Sequence, residues 1–176
     1  MKFLKWTLGT LAGLIAIFAI VGMLLPRQVT IERSIRIDAG VEQVFPHVAG
    51  LKAMAAWSPW LDRDPDVQLT YSGPDTGEGA TLDWASEHPN VGNGHQVITG
   101  FEENVLVTTA LDFGEMGTAN ADLVLEEADG VTTVTWTLDA DMGAGPFGRW
   151  MGLMMDRAVG PDYELGLSRL KSLVEG

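Results

Sequence analysis

The sequence predicts an α+β protein: one membrane-spanning helix, then about seven antiparallel strands and a long C-terminal helix. Three observations predict it. Trp6 to Leu25 is a run of 20 residues without a charge. Between Val67 and Asp139, short apolar-rich segments follow one another across short turns. Beyond Pro146 the apolar spacing becomes that of a helix and holds to Val174.

The first element is the apolar run. At about 1.5 Å per helical residue, 20 residues cross the roughly 30 Å hydrocarbon core of a bilayer. Lys2 and Lys5 precede the run, and Pro26 and Arg27 end it. A cleaved signal peptide would carry a shorter apolar core and small residues at its cleavage site. Here the run ends in Met23, Leu24, Leu25 and Pro26, so a retained anchor over residues 1–26 and a domain over 27–176 are expected. A short basic tail before an apolar run places the N-terminus inside and the domain on the extracytoplasmic side, although Arg27, Arg33 and Arg36 blunt that asymmetry. Gly9 and Gly13 have the spacing of a close-packing helix face. The chain has no cysteine, so it forms no disulfide and carries no lipid-modified cysteine.

The remaining elements follow in order. Val29, Ile31, Ile35 and Ile37 share one parity, interrupted only by Arg33, which reads as a strand. Val41, Val44, Phe45 and Val48 have helical spacing, and Pro46 makes that helix short or kinked. Leu51 to Trp57 allows a second short helix, ended by Ser58 and Pro59. Six strands are expected at 67–71, 80–84, 95–102, 105–113, 119–126 and 131–139, joined as antiparallel hairpins by short links. The clearest turn is Asp129-Gly130. Val134, Trp136 and Leu138 share one face of the last strand, and Thr133, Thr135 and Thr137 share the other, so one face is buried and one wet. The turn-rich patches at 72–79, 88–94 and 143–146 punctuate one domain. In the tail, Tyr163, Leu167, Leu170 and Val174 fall at spacings of four, three and four. Pro161 is expected to kink or break the helix near Gly160.

Charge restricts the partners. The formal net charge is −13, and all 24 Asp and Glu lie beyond Leu25. That excludes the basic footprint a nucleic-acid binder needs and a polybasic grip on anionic lipid. Solubility accounts for the acidic surface; an acidic docking face is the alternative.

The order strand, two short helices, six strands, long helix is the helix-grip order, and particular residues carry a resemblance with it. They are Ile31-Glu-Arg-Ser-Ile-Arg-Ile-Asp38 with Val44 and Phe45, Trp57-Ser-Pro-Trp60, Tyr71-Ser-Gly-Pro74 with Gly77-Glu-Gly-Ala80, Val134-Thr-Trp136, Asp141-Met-Gly143, and Met155-Asp156 with Gly160-Pro-Asp162. The sequence resembles the START-like, polyketide cyclase/dehydrase (SRPBCC) superfamily, and its membrane-anchored bacterial members in particular. The resemblance implies a curved seven-stranded sheet gripping the last helix, with a pocket between them. Superfamily members include lipid carriers, cyclases and receptors, so fold alone does not settle function.

His47, His88 and His95 stand in no metal-ligand spacing, and the serines sit in no nucleophile-elbow pattern. Asp83, Glu102, Asp112 and Asp156 adjoin apolar residues and could act as acids or bases if they faced a cavity. Strand parity turns Asp83 to the wet face, and Asp156 stays open. No catalytic residue, metal or cofactor is assigned. The tryptophans say more, because a large apolar ring with a single donor suits a pocket wall as well as a core. Methionines at 142, 151, 154 and 155 add adaptable apolar surface. Trp57, Trp60, Trp84, Trp136, Trp150 and Met154 are the expected ligand-binding residues. The expected function is a membrane-tethered binding module for a lipid or other apolar small molecule. The alternatives are a cyclase- or hydrolase-type enzyme using the same cavity, and a scaffold docking a partner through its acidic surface.

Overall fold

The computed structural model describes residues 2–88, 91–114 and 117–176, with side chains from Trp6 onward. The expected turn at 88–94 therefore lies partly outside the described residues. Helix α1 spans Lys2–Leu24. Strand β1 (Gln28–Ile37) leads into α2 (Val41–Val44), which passes through a single 3-10 turn at Phe45–His47. Pro46 shortens the helix as expected. After α3 (Leu51–Ala55) and a 3-10 turn at Leu61–Arg63 come β2 (Gln68–Ser72), β3 (Thr81–Ala85), β4 (Gly94–Glu102), β5 (Leu106–Asp112), β6 (Thr118–Ala128) and β7 (Val131–Asp141). Helix α4 runs from Pro146 to Glu175. The seven strands form one antiparallel sheet in the order β1-β7-β6-β5-β4-β3-β2. This is the helix-grip architecture.

Alternation decides which face is buried. In β7, Thr132, Val134, Trp136, Leu138 and Ala140 are buried while the residues between them are not. Register carries that face across the sheet. Ala140 opposes Ala119, Ala119 opposes Leu111, and Leu138 opposes both Ala121 and Ile31. Asp129 and Gly130 both have positive φ, the backbone of a two-residue hairpin turn matched to the sheet's twist. Helix α4 packs along β1 and β7, the side of the sheet farthest from β2. Tyr163, Leu167 and Leu170 are buried as their spacing predicts, and Val174 is half-buried.

Of the kink or break expected near Gly160, the break does not occur. Helix α4 continues unbroken through Pro161. The proline removes one backbone hydrogen bond, and Arg33 spans the gap. Its guanidinium reaches Asp156 at 2.9 Å on the turn before Pro161 and Glu164 at 2.7 Å on the turn after. Gly160 makes this possible, because a Cβ there would stand 2.2 Å from an Arg33 Nη atom. The residue that interrupts β1's apolar parity therefore helps join the strand to the helix, as does Lys171, which donates to the Arg36 carbonyl at 2.6 Å. It also answers the open question about Asp156, which is an ion-pair partner of Arg33.

The joint between α1 and the sheet is tied at several points. Arg27 makes a two-pronged contact with Asp141, with its Nη2 2.6 Å from Oδ2, and this holds the Asp141 carboxyl below the ordinary carboxylate range. The Met142 amide donates to the Arg27 carbonyl at 2.8 Å. Arg149 donates to the carbonyls of Met23 and Leu25, which caps the C-terminal end of α1 where a cation also meets the favourable end of the helix dipole.

Candidate functional site

The six residues read from the sequence fall into three groups in space. Trp57, Trp60 and Trp136 meet under α4. Trp57 is 1% exposed and its indole donates to the His47 carbonyl at 2.9 Å. Its ring meets Trp136 edge-on with centroids 5.1 Å apart, and Trp60 meets the same ring edge-on at 5.6 Å. Tyr163 of α4 stacks on Trp136 at 3.9 Å. The two edge-on contacts are the arrangement that aromatic quadrupoles favour. Gly166 lets the helix settle on this cluster, because a Cβ there would stand 2.9 Å from the Trp136 ring and 3.3 Å from Pro59. Burial pushes the Tyr163 hydroxyl well above its ordinary pKa, so it stays protonated. Trp60, half-buried, is the outermost ring of the group.

Trp84 belongs to a second group. Its ring lies over Gly94 of the neighbouring strand and meets Phe113 edge-on at 5.9 Å. Leu111, Phe113, Met142 and Met155 are, like Trp84, only partly buried against the core. Register puts the start of β1, the end of β7, the start of β6, the end of β5, the start of β4 and the end of β3 at one end of the sheet. The strand members of this apolar rim thus sit at the end where α1 joins. Met142 follows Asp141 at that end, where Gly152 of α4 packs on it and on Val29, and Met155 lies three residues further along α4. Beside the rim the inward face carries Ala119, Ala121 and Ala140, all buried and small.

Trp150 and Met154 form the third group, outside the grip. Trp150 stacks on Phe18 of α1 at 5.3 Å and donates to its carbonyl at 3.1 Å. Met154 is 59% exposed. Sequence reasoning placed Tyr163 in the core without seeing it as the partner of Trp136. It also left out Phe113, which shares parity with Leu111, and Met142 and Met155 from the methionine cluster.

Polar groups of the inward face are few. The Thr109 hydroxyl donates to the Ala121 carbonyl at 3.3 Å, Gln96 opposes Leu82 and Leu111, and Arg33 is engaged with Asp156 and Glu164. His95 does contact a carboxylate, Asp83, at 2.8 Å, but both side chains are exposed, and Asp83 has the parity opposite to buried Leu82. Among the described residues, no group of three or more His, Asp or Glu is arranged to hold a metal ion. A small cavity of about 40 Å³ lies between Lys52, Tyr71 and Asp75, and an open groove of about 490 Å³ runs past Asp62 and Arg169 on the outer side of α4. Neither is at the aromatic cluster or the rim. Among the described residues the inward face is mostly apolar, with the Thr109 and Thr132 hydroxyls donating to backbone carbonyls and Arg33 in ion pairs.

Comparison with known proteins agrees with this fold. A sequence model of the family described as "Polyketide cyclase / dehydrase and lipid transport" matches residues 28–175. No curated protein matches the sequence. Truncated norcoclaurine synthase from Thalictrum flavum is similar in structure, with a TM-score of 0.64 and 12% identity over 84% of this chain and 93% of that one. The di-domain ARO/CYC StfQ from the steffimycin biosynthetic pathway gives a TM-score of 0.62 at 11% identity, over 84% of this chain and 51% of that one. The Aha1 dimer from Colwellia psychrerythraea gives 0.58 at 18% identity, over 84% and 96%. At these identities the likeness is one of fold.

Proposed function

We propose that this chain, which belongs to the polyketide cyclase / dehydrase and lipid transport family, is a membrane-tethered binding module for a lipid or another apolar small molecule. The observation that carries the reading is the half-buried rim of Trp84, Leu111, Phe113, Met142 and Met155 beside small alanines, at the end of the sheet where α1 joins. Large apolar groups left partly open next to small ones form the lining that apolar ligands use. Helix α1, whose Trp6–Leu24 stretch is apolar and long enough to cross a membrane, supports the tether. It would keep that end of the sheet near the source of such ligands. Lys2 and Lys5 ahead of the span support an extracytoplasmic domain. Trp57, Trp60 and Trp136 form the inner wall in this reading, and Trp84 the rim.

One observation favours a second reading. The space under α4 around Trp136 is occupied by Trp57, Trp60 and Tyr163 in mutual contact. A domain filled throughout in this way would act as a scaffold. Native mass spectrometry of the full chain, purified from its own membrane, separates the two. The binding reading expects a co-purifying apolar mass that is lost in Trp84→Ala and Phe113→Ala while the chain stays folded. A folded chain that carries no such mass, and takes up no long-chain lipid when offered one, would sink the binding reading in favour of the scaffold.

A further inference from the structure

The opening turns of α4 leave their apolar side chains uncovered. Phe147 is 69% exposed, Met151 47%, Leu153 58% and Met154 59%. Single exposed apolar residues are ordinary, but four large ones within eight positions of one helix form a patch that calls for a covering medium. Between Pro146 and Met155 the only charged side chain is Arg149. Its guanidinium is turned to the last carbonyls of α1, so the one charge of this stretch is held at the end of the span.

The patch lies beside α1. Gly22 packs against Pro146 and Trp150, and Phe18 stacks on Trp150. The two helices therefore pass in opposite directions, and α4 runs back along the last turns of α1. Phe18 lies six residues before Leu24, about 9 Å along the helix axis. Whatever medium surrounds Phe18 must reach the neighbours of Trp150. Leu14, one turn before Phe18 on the same face of α1, is itself a 60% exposed apolar side chain, so the exposed apolar surface beside Trp150 runs on along α1. Trp150 and Arg149, an amphipathic ring and a cation beside the end of the span, are residue types found where a membrane meets water. Charge returns at Asp156 and Arg157.

We propose that Phe147–Met154 of α4 sits in the interfacial layer of the bilayer beside α1, so that the domain is mounted rigidly with its apolar rim turned to the lipid. This deepens the membrane-tether reading and rests on it. The ties of Arg149 to Met23 and Leu25, of Arg27 to Asp141, and of Met142 to Arg27 make the mount stiff, because they leave no free linker between helix and sheet.

The absence of cysteine makes the test direct. Single variants Leu14→Cys, Phe147→Cys, Met154→Cys and Leu173→Cys of the full chain are reconstituted in mixed phosphatidylcholine–phosphatidylglycerol vesicles and labelled with an environment-sensitive dye. Leu173 is the internal control, an exposed apolar residue at the far end of the same helix. Dyes at 147 and 154 should be quenched by lipid-borne nitroxide. Their cysteines should react with a membrane-impermeant maleimide about tenfold more slowly than the one at 173, as a difference of about 1.4 kcal/mol gives. If position 14 is in lipid but 154 reacts as fast as 173, the mount is wrong and the anchor stands. If position 14 is itself in water, the anchor reading fails and the mount with it. If 154 is shielded without lipid quenching and crosslinks to 154 of another chain, a second copy covers the patch and the proposal is overturned.

Discussion

The two ends of α4 present apolar side chains to different surroundings. In the closing half, Tyr163, Leu167 and Leu170 are at most 2% exposed, packed on the sheet. In the opening half, Phe147, Leu153 and Met154 are all more than half exposed, although their types are as apolar. One helix, with one backbone geometry, thus serves a protein core at one end and an open face at the other. The difference shows that an apolar helix stripe states a demand for burial without naming what meets it.

The sharpest test of the closing half is Leu167→Ala. The residue is 1% exposed, so a cavity should be left that costs about 2–5 kcal/mol. Chemical denaturation of the full chain in a mild detergent measures it, and a loss near zero would mean that α4 does not pack as described. Gly166→Ala should cost less, and its sign is informative. Overpacking against the Trp136 ring costs about 1–3 kcal/mol, while alanine in a helix interior returns about 1 kcal/mol. A net loss of about 1 kcal/mol is expected. A gain would mean that the aromatic cluster yields easily, as a pocket able to open would.

Smaller still is Arg33→Gln, which removes both ion pairs across Pro161. The expected result is faster amide exchange at 157–164, with the strands of the sheet unchanged. Uniform exchange in parent and variant would mean that the helix holds through Pro161 without Arg33. The smallest effect belongs to the opening half. Leu153→Ser should change the stability of the detergent-solubilised chain by no more than about 0.5 kcal/mol, as exposed positions do. A loss as large as that of Leu167→Ala would place Leu153 in the core and erase the contrast between the two ends.

Much of the fold was legible because it rests on local periodicity. The parity of Val134, Trp136 and Leu138, the Asp129-Gly130 turn and the Tyr163-to-Val174 spacing each report a short-range geometric rule. Strand limits came within about two residues for the same reason. The candidate site was less legible. Trp57, Trp60 and Trp136 do meet, in ring-to-ring contact under α4. Trp150 and Met154 also share one side of α4 by spacing, yet Trp150 packs on Phe18 of α1 and Met154 is exposed. Helical spacing gives the side of a helix but not the element opposite it. Pro161 does not break the helix, and the residue whose ion pairs lie across it, Arg33, is on a strand more than a hundred positions earlier.

By itself the sequence determined the 20-residue apolar run, the number and order of the strands, the acidic character of the domain and the absence of any cysteine chemistry, since each depends on neighbours along the chain. Only the tertiary structure decided which aromatic rings meet, that Arg33 bridges Asp156 and Glu164 on either side of Pro161, and that α1 is tied to α4 through Phe18, Trp150 and Arg149. These are contacts between residues far apart in the chain, where hydrogen bonds and close packing depend on how whole elements come to lie against one another and no local period carries the information.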